Sequence, residues 1–200
     1  MLNFTKTKER YVRQRCLLLI NQILQKSKIL DLEISLLDKL KSCFIERSRD
    51  KTIAVRNAAA SGLCRLQNPL EPDEEILKLI AENLRCESNV STRLIYASNI
   101  MIHPLTTQAI IDTLRDEELT IRIAILKNID DHSLFHQLSI ELKHSIIHCL
   151  EDRNDIIVKS AEHIILFNWT QQNSILELLS QLNLENEEIA VFLILLYYIG

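Results

Sequence analysis

Apolar residues return along this chain at helical spacing, and no stretch alternates apolar with polar in the way a half-buried strand does. From Lys8 to about Gln25, Tyr11, Val12, Cys16, Leu18, Leu19, Ile23 and Leu24 recur near the helical period. Arg10, Arg13 and Arg15, then Asn21 and Gln22, take the other sides. Asp31 is placed to cap a second helix reaching about Arg47, with Leu32, Leu36, Leu37, Leu40, Phe44 and Ile45 as its stripe. A third helix, roughly Thr52 to Leu66, turns Ile53, Val55, Ala59, Gly62, Leu63 and Leu66 to one side. Its run NAAASG removes bulk where another helix must approach closely, and Pro69 closes it.

Pro72 suits the first turn of a fourth helix, and Asp73, Glu74 and Glu75 complement that helix's positive end ahead of Ile76, Leu79, Ile80 and Leu84. A fifth helix carries Val90, Leu94, Ala97, Ile100 and Met101 and stops at His103-Pro104-Leu105. Further helices are expected near Thr107 to Arg115, Leu119 to Ile129, Leu134 to Leu150, Asp155 to Trp169, Gln171 to Leu182 and Glu187 to Ile199.

Alternate helices align with one another. The pieces YVRQRCLLLINQIL, AVRNAAASGLCRL, STRLIYASNIM, TIRIAILKNI and IVKSAEHIILF place a basic residue at Arg13, Arg56, Arg93, Arg122 and Lys159, at separations of 43, 37, 29 and 37. Helix pairs repeating at about this interval indicate a HEAT or armadillo-type array, whose units run roughly 40 to 47 residues. The expected fold is therefore all-α: a HEAT-repeat α-solenoid of about five to six antiparallel helix pairs, with residues 1–200 forming one repeat domain. An acid stands six residues before the basic one in three units, Asp50, Glu87 and Asp116, and Asp152 stands seven before Lys159. Neither end carries the polar face of a capping repeat, so the chain reads as a segment of a longer solenoid or one whose ends partners cover.

Composition agrees. Two Gly and three Pro are too few for a sandwich, a barrel or a Rossmann sheet. Cys16, Cys43, Cys64, Cys86 and Cys149 include no CxxC and fall on expected helices, as small apolar fillers do in a reducing compartment. The longest apolar run, at Ile189 to Ile199, is shorter than the roughly 20 residues that span a bilayer. Charge changes the picture more. The net charge of -4 divides into +8 over residues 1–68, with 14 Lys and Arg against 6 Asp and Glu, and -12 over residues 69–200, with 9 against 21. A basic end of this kind suits a polyanion surface.

The order of motifs goes beyond a generic HEAT array. VRQRCLLLINQIL, RDKTIAVRNAAASGLCRLQNP, ENLRCESNVSTRLIYASNI, LEDRNDIIVKSAEHIILFNW and ILELLSQLNLENEEIAVFLIL resemble, from about Tyr11 to the C-terminus, the G-type non-SMC HEAT subunit of condensin, the condensin subunit 3 family. The chain reads as a short or partial member. The resemblance implies a non-enzymatic subunit that clasps a segment of the kleisin subunit. With it the subunit forms a basic groove for double-stranded DNA in mitotic chromosome condensation. The kleisin connects it to the SMC ATPases, and the location is the nucleus and its chromosomes, with the cytoplasm open outside mitosis. The alternative is a HEAT adaptor that binds a protein segment and no nucleic acid.

Candidate DNA contacts lie among the basic residues of the first third. Lys8, Arg10, Arg15, Arg49 and Lys51 stand off the repeat's basic position and are the stronger candidates. Arg13, Arg56, Arg93, Arg122 and Lys159 occupy that position, where the HEAT pattern forms an acid–Arg ladder between neighbouring repeats, so their role is mainly structural. His144 and His148, four apart with Glu141 ahead of them, have metal-ligand spacing, as do His132 and His136. No third ligand is placed, and Leu138, Leu142 and Ile146 leave the histidines outward, so no metal is assigned. No phosphate loop, GxSxG, HExxH or paired-carboxylate motif is present, and neither an enzyme, a small-molecule substrate, a cofactor nor a membrane partner is expected.

Overall fold

The computed structural model describes residues 2–26, 33–70, 72–132, 135–170 and 175–182, and among them every regular element is helical. The chain divides into two compact units, Met1–Met101 and Ile102–Gly200. The first contains α1 (Arg10–Lys26), α2 (Ile34–Ser48), α3 (Ile53–Arg65), α4 (Glu74–Cys86) and α5 (Val90–Ala97). The second contains α6 (Thr107–Thr113), α7 (Leu119–His132), α8 (Ile140–His148), α9 (Asp155–His163) and α10 (Ile175–Leu182). Short links, 49–52 between α2 and α3 and 87–89 between α4 and α5, return the chain as helical hairpins. In the first unit α1, α3 and α5 lie side by side, with α2 and α4 against α3. In the second, α7 packs on α9, and α8 packs on both α6 and α10. This is the HEAT arrangement expected from the repeat.

The first unit is built on α3. Val55, Ala59, Ala60 and Leu63 are fully buried, and Gly62 admits the Phe44 ring of α2: a Cβ on Gly62 would fall inside contact distance of three ring atoms. Leu17, Ile20 and Leu24 of α1 and Tyr96 and Ala97 of α5 close the same core from either side of α3. In the second unit the core comes from Ile110, Ile121, Ile125, Ile129, Leu142, Ile146, Ile157, Ile165, Trp169, Leu178 and Leu182. Among the described residues, Asp73, Asn89, Ser139 and Asn154 cap helix starts, accepting from backbone N–H groups of α4, α5, α8 and α9.

Several details differ from the pattern-based expectation. On α1, Tyr11, Val12, Leu18 and Ile23 are exposed, and the buried face is Leu17, Ile20, Asn21 and Leu24. RCLLLI offers an apolar residue in nearly every direction, so contact with α3 decides the inward face. Asn21 goes inward because its Nδ2 donates to the Ala58 carbonyl (2.7 Å). Pro72 precedes the Asp73 cap of α4 instead of entering its first turn. Helix α5 ends at Ala97, before Ile100 and Met101. The expected helix from Leu134 becomes a 3₁₀ turn at Phe135–Gln137, then α8, which Ser139 starts. Residues Ile164–Trp169 continue α9 as a π-helix. Cys86 is exposed, unlike the buried Cys43, Cys64 and Cys149. Asp31, Leu32, Leu134, the start of the helix expected from Gln171 and all of the one expected from Glu187 to Ile199 lie outside the described residues, and so does the apolar run there. No helix among the described residues is long and apolar enough to cross a membrane.

Candidate nucleic-acid interface

The links that enter α3, α5, α7 and α9 share one construction. In α3's link, Asp50 turns its Oδ1 back onto the Thr52 N–H (2.9 Å). Glu87, Asp116 and Asp152 accept in the same way from the N–H groups of Asn89 (2.9 Å), Glu118 (2.8 Å) and Asn154 (2.8 Å). A short Asp side chain two residues before an amide is suited to this turn, and the longer Glu87 reaches the same N–H. The remaining acceptor capacity of Asp50, Glu87 and Asp152 serves another helix. Arg13 of α1 donates Nε (2.8 Å) and Nη2 (3.0 Å) to the two oxygens of Asp50, and Arg56 of α3 does so to Glu87 (2.8 and 2.9 Å). In the second unit Arg122 reaches Asp152 at 3.5 Å.

The third nitrogen points the other way. Arg13 Nη1 donates to the carbonyls of Thr7 (2.9 Å) and Lys8 (2.7 Å), and Arg56 Nη1 to those of Asp50 (3.0 Å) and Lys51 (3.5 Å). Arg93 Nη1 donates to those of Glu87 (3.0 Å) and Ser88 (3.1 Å), and Arg122 Nη1 to that of Asp116 (2.9 Å). The arginine at the repeat's basic position therefore holds its own entry turn, and Arg13, Arg56 and Arg122 also grip the acid of the following one. Lys159 is exposed.

The pairs are well shielded. Side-chain exposure is 12% for Arg13 and 4% for Asp50, and 17% for Arg56 and 10% for Glu87. Burial alone would raise the Asp50 pKa. The hydrogen bonds from Arg13 and the Thr52 N–H, with the charges of Arg13 and Arg47, outweigh burial and hold it below the usual value. Glu87 is lowered against the same opposing burial by Arg56, the Asn89 N–H and the charge of Arg93.

Around this frame the five candidate DNA contacts are all exposed. Lys8 and Lys51 occupy the same place in successive turns, five residues before the arginine, and Ser88 and Glu117 stand at that place in the next two. Arg10 opens α1 and lies over the Tyr11 ring, 4.7 Å from its centroid. Arg15 shares a shallow recess on α1 with Tyr11, Val12 and Leu18. Arg49 ends α2 and borders a recess with Glu74, Glu75, Lys78 and Glu82 of α4, whose acids offset its field. The structure thus groups Lys8 and Lys51 by role and sets Arg49 among carboxylates.

The histidine pairs do not converge. His144 is half-buried, not outward, with Nε2 2.6 Å from the Leu182 carbonyl. His132 ends α7 whereas His136 sits in a 3₁₀ turn, so they share no helical face. Among the described residues no cluster of three or more ligating side chains forms.

Sequence reasoning missed two inter-repeat links in the first unit. Lys41 of α2 bridges Asp73 (2.8 Å) and Glu75 (2.6 Å) at the start of α4. Gln67, in the RLQNP stretch, donates to the Cys64 (2.9 Å) and Asn99 (2.7 Å) carbonyls, and its Oε1 accepts from the Met101 N–H (2.8 Å). The signal for Gln67 was the motif itself, quoted for its resemblance without a physical reason. Removing two inter-repeat hydrogen bonds in Gln67→Ala is expected to cost about 1 kcal/mol, read as a lower urea midpoint at unchanged m-value.

No family model matches the chain. Human condensin complex subunit 3 is 27% identical over 185 residues, which is 90% of this chain and 18% of that protein, so the chain spans less than a fifth of the relative's length. A chain in the crystal structure of the S. pombe condensin Cnd3–Cnd2 subcomplex superimposes with a TM-score of 0.79 at 24% identity, covering 97% of this chain and 25% of that one. A TOG domain array of microtubule polymerases matches with a TM-score of 0.53 at 12% identity, over 100% of this chain and 46% of the other, a likeness of fold alone. These comparisons bear out the resemblance to condensin subunit 3.

Proposed function

We propose, starting from the likeness to condensin subunit 3, that this chain is a non-enzymatic HEAT-repeat segment of a condensin-type assembly that holds a kleisin segment and double-stranded DNA. Its place is then on chromosomes in the nucleus, with the SMC ATPases reached through the kleisin. The observation that carries the DNA part is the equivalence of Lys8 and Lys51. Two exposed ammonium groups stand at the same point of successive turns, in the part of the chain with a net charge of +8. Such groups bind phosphates without reading bases, and the affinity falls with salt as counterions are released. The kleisin part is supported by the S. pombe match, which is to a complex of two condensin subunits.

The test is fluorescence anisotropy with a labelled random-sequence duplex, with and without a kleisin peptide, across a salt series. Binding is expected at low salt, falling steeply as salt rises, and Lys8→Glu with Lys51→Glu is expected to weaken it at least tenfold. No binding at low salt with the kleisin peptide present removes the DNA reading and leaves the adaptor. An apolar recess of about 400 Å³ between α1 and α2, lined by Leu2, Ile20, Ile23, Leu24, Leu36 and Leu40, favours that second reading to the extent that it suits an apolar peptide side chain.

A further inference from the structure

We infer that Arg13 and Arg56 are positioning residues for DNA contact, each fixing the backbone of the lysine five residues before it, an inference that rests on the DNA reading above. A lysine side chain is long and loses much rotamer freedom when it is held on a phosphate, so where its Cα sits decides how often the ammonium meets its target. Arg13 Nη1 holds the Thr7 and Lys8 carbonyls, and Arg56 Nη1 holds those of Asp50 and Lys51.

The same guanidinium groups cannot themselves serve as phosphate ligands. Their Nε and Nη2 are both committed to a carboxylate, Asp50 for Arg13 and Glu87 for Arg56, and the side chains are mostly buried. The carboxylate also cancels most of their charge at a distance. Two residue types thus divide two duties in each of these two turns: a neutralised arginine sets the backbone, and an exposed lysine supplies the field.

The third turn of the first unit separates those duties. Arg93 grips the Glu87 and Ser88 carbonyls at 3.0 and 3.1 Å, yet Ser88 brings no charge. In the second unit Arg122 grips Asp116 at 2.9 Å, and the next residue is the exposed Glu117. The grip is a property of the repeat, and of these four turns only the first two place a positive charge on it.

The experiment compares wild-type chain with Lys51→Ala, with the charge-balanced pair Arg56→Gln and Glu87→Gln, and with Arg56→Lys, by anisotropy on the same duplex over a salt series. Lys51→Ala is expected to lower the slope of log K against log salt by about 0.9, the loss of one phosphate contact. The charge-balanced pair is expected to bind roughly threefold to tenfold more weakly at an unchanged slope. Wild-type affinity in that pair overturns the inference. So does a slope lowered by about 0.9, because Arg56 would then be the phosphate ligand. Should the pair fail to fold by circular dichroism, Arg56→Lys keeps the charge and loses the fork, and weaker binding at constant slope is again expected. If wild-type chain binds no duplex DNA, the DNA reading fails by itself. Amide exchange at Lys51 and Thr52 then still tests the grip: faster exchange in Arg56→Lys supports it, and unchanged exchange overturns it.

Discussion

Gly62→Ala is expected to destabilise the chain by about 2 kcal/mol, although alanine is the better helix former. In an open helix the change would gain about 1 kcal/mol. Here the new methyl falls within contact distance of Cδ1, Cε1 and Cζ of Phe44, and that ring is fully buried, so it has no solvent to swing into. Overpacking of this kind displaces side chains and helices together, at a cost of about 1–3 kcal/mol and occasionally more. Urea denaturation should show a lower midpoint. The double change Phe44→Leu with Gly62→Ala should recover part of the loss relative to the sum of the single changes, because the ring atoms that collide are gone. A Gly62→Ala variant as stable as wild type, or more so, would show that α2 can move away from α3 freely.

Asp50→Ala is expected to cost still more, about 3–5 kcal/mol, because it strips a shielded carboxylate from several partners at once. Arg13 loses two hydrogen bonds and its counter-charge, Arg47 loses one at 3.3 Å, and the Thr52 N–H loses its acceptor. Asp50→Asn keeps the turn acceptor and should cost less. The same carboxylates make stability depend on pH in a defined direction. Asp50 and Glu87 titrate below their ordinary values of 3.8 and 4.5, and Asp73 is lowered as well: its Lys41 contact and the Ile76 and Glu75 N–H groups outweigh burial. A carboxyl with a depressed folded-state pKa contributes fully above the unfolded value and loses that contribution as pH falls through the folded value. Stability should therefore be flat from neutral pH to about 5 and fall steadily below the ordinary carboxylate range. Asp50→Asn should flatten that acid limb; an unchanged limb would place the titration elsewhere.

The repeat was legible because it is written in residue types that have few alternatives. An acid, then an apolar residue before arginine, then small residues, at intervals of 29 to 43, could be aligned without coordinates. NAAASG announced a close helix approach, and Gly62 is where Phe44 enters. What stayed hidden was orientation where the pattern is degenerate. The run from Leu17 to Ile20 points apolar residues to every side of the middle of α1, so Leu17 and Ile20 could not be separated from Leu18 and Leu19 until α3 was in place. Asn21 read as a polar-face residue because nothing local reveals that the Ala58 carbonyl will meet it. The candidate DNA residues were visible as charge but not as geometry. That Arg13 and Arg56 turn back onto the carbonyls of Lys8 and Lys51 is a side-chain direction the alignment of arginines does not give, and that Arg49 faces the acids of α4 depends on packing between residues far apart in sequence.

The ladder bonds join residues 37, 31 and 30 positions apart, and Gln67 reaches 32 and 34 positions along the chain. No bond of this set requires the polymer to close a larger loop, however many repeats are present. Loop closure grows more costly with the logarithm of loop length, and folding slows as contacts become less local. An array tied together only across this fixed span can therefore grow by whole repeats without a growing search for its ends. Folding can begin at any repeat and spread to its neighbours, so the rate-limiting nucleus stays one or two repeats in size.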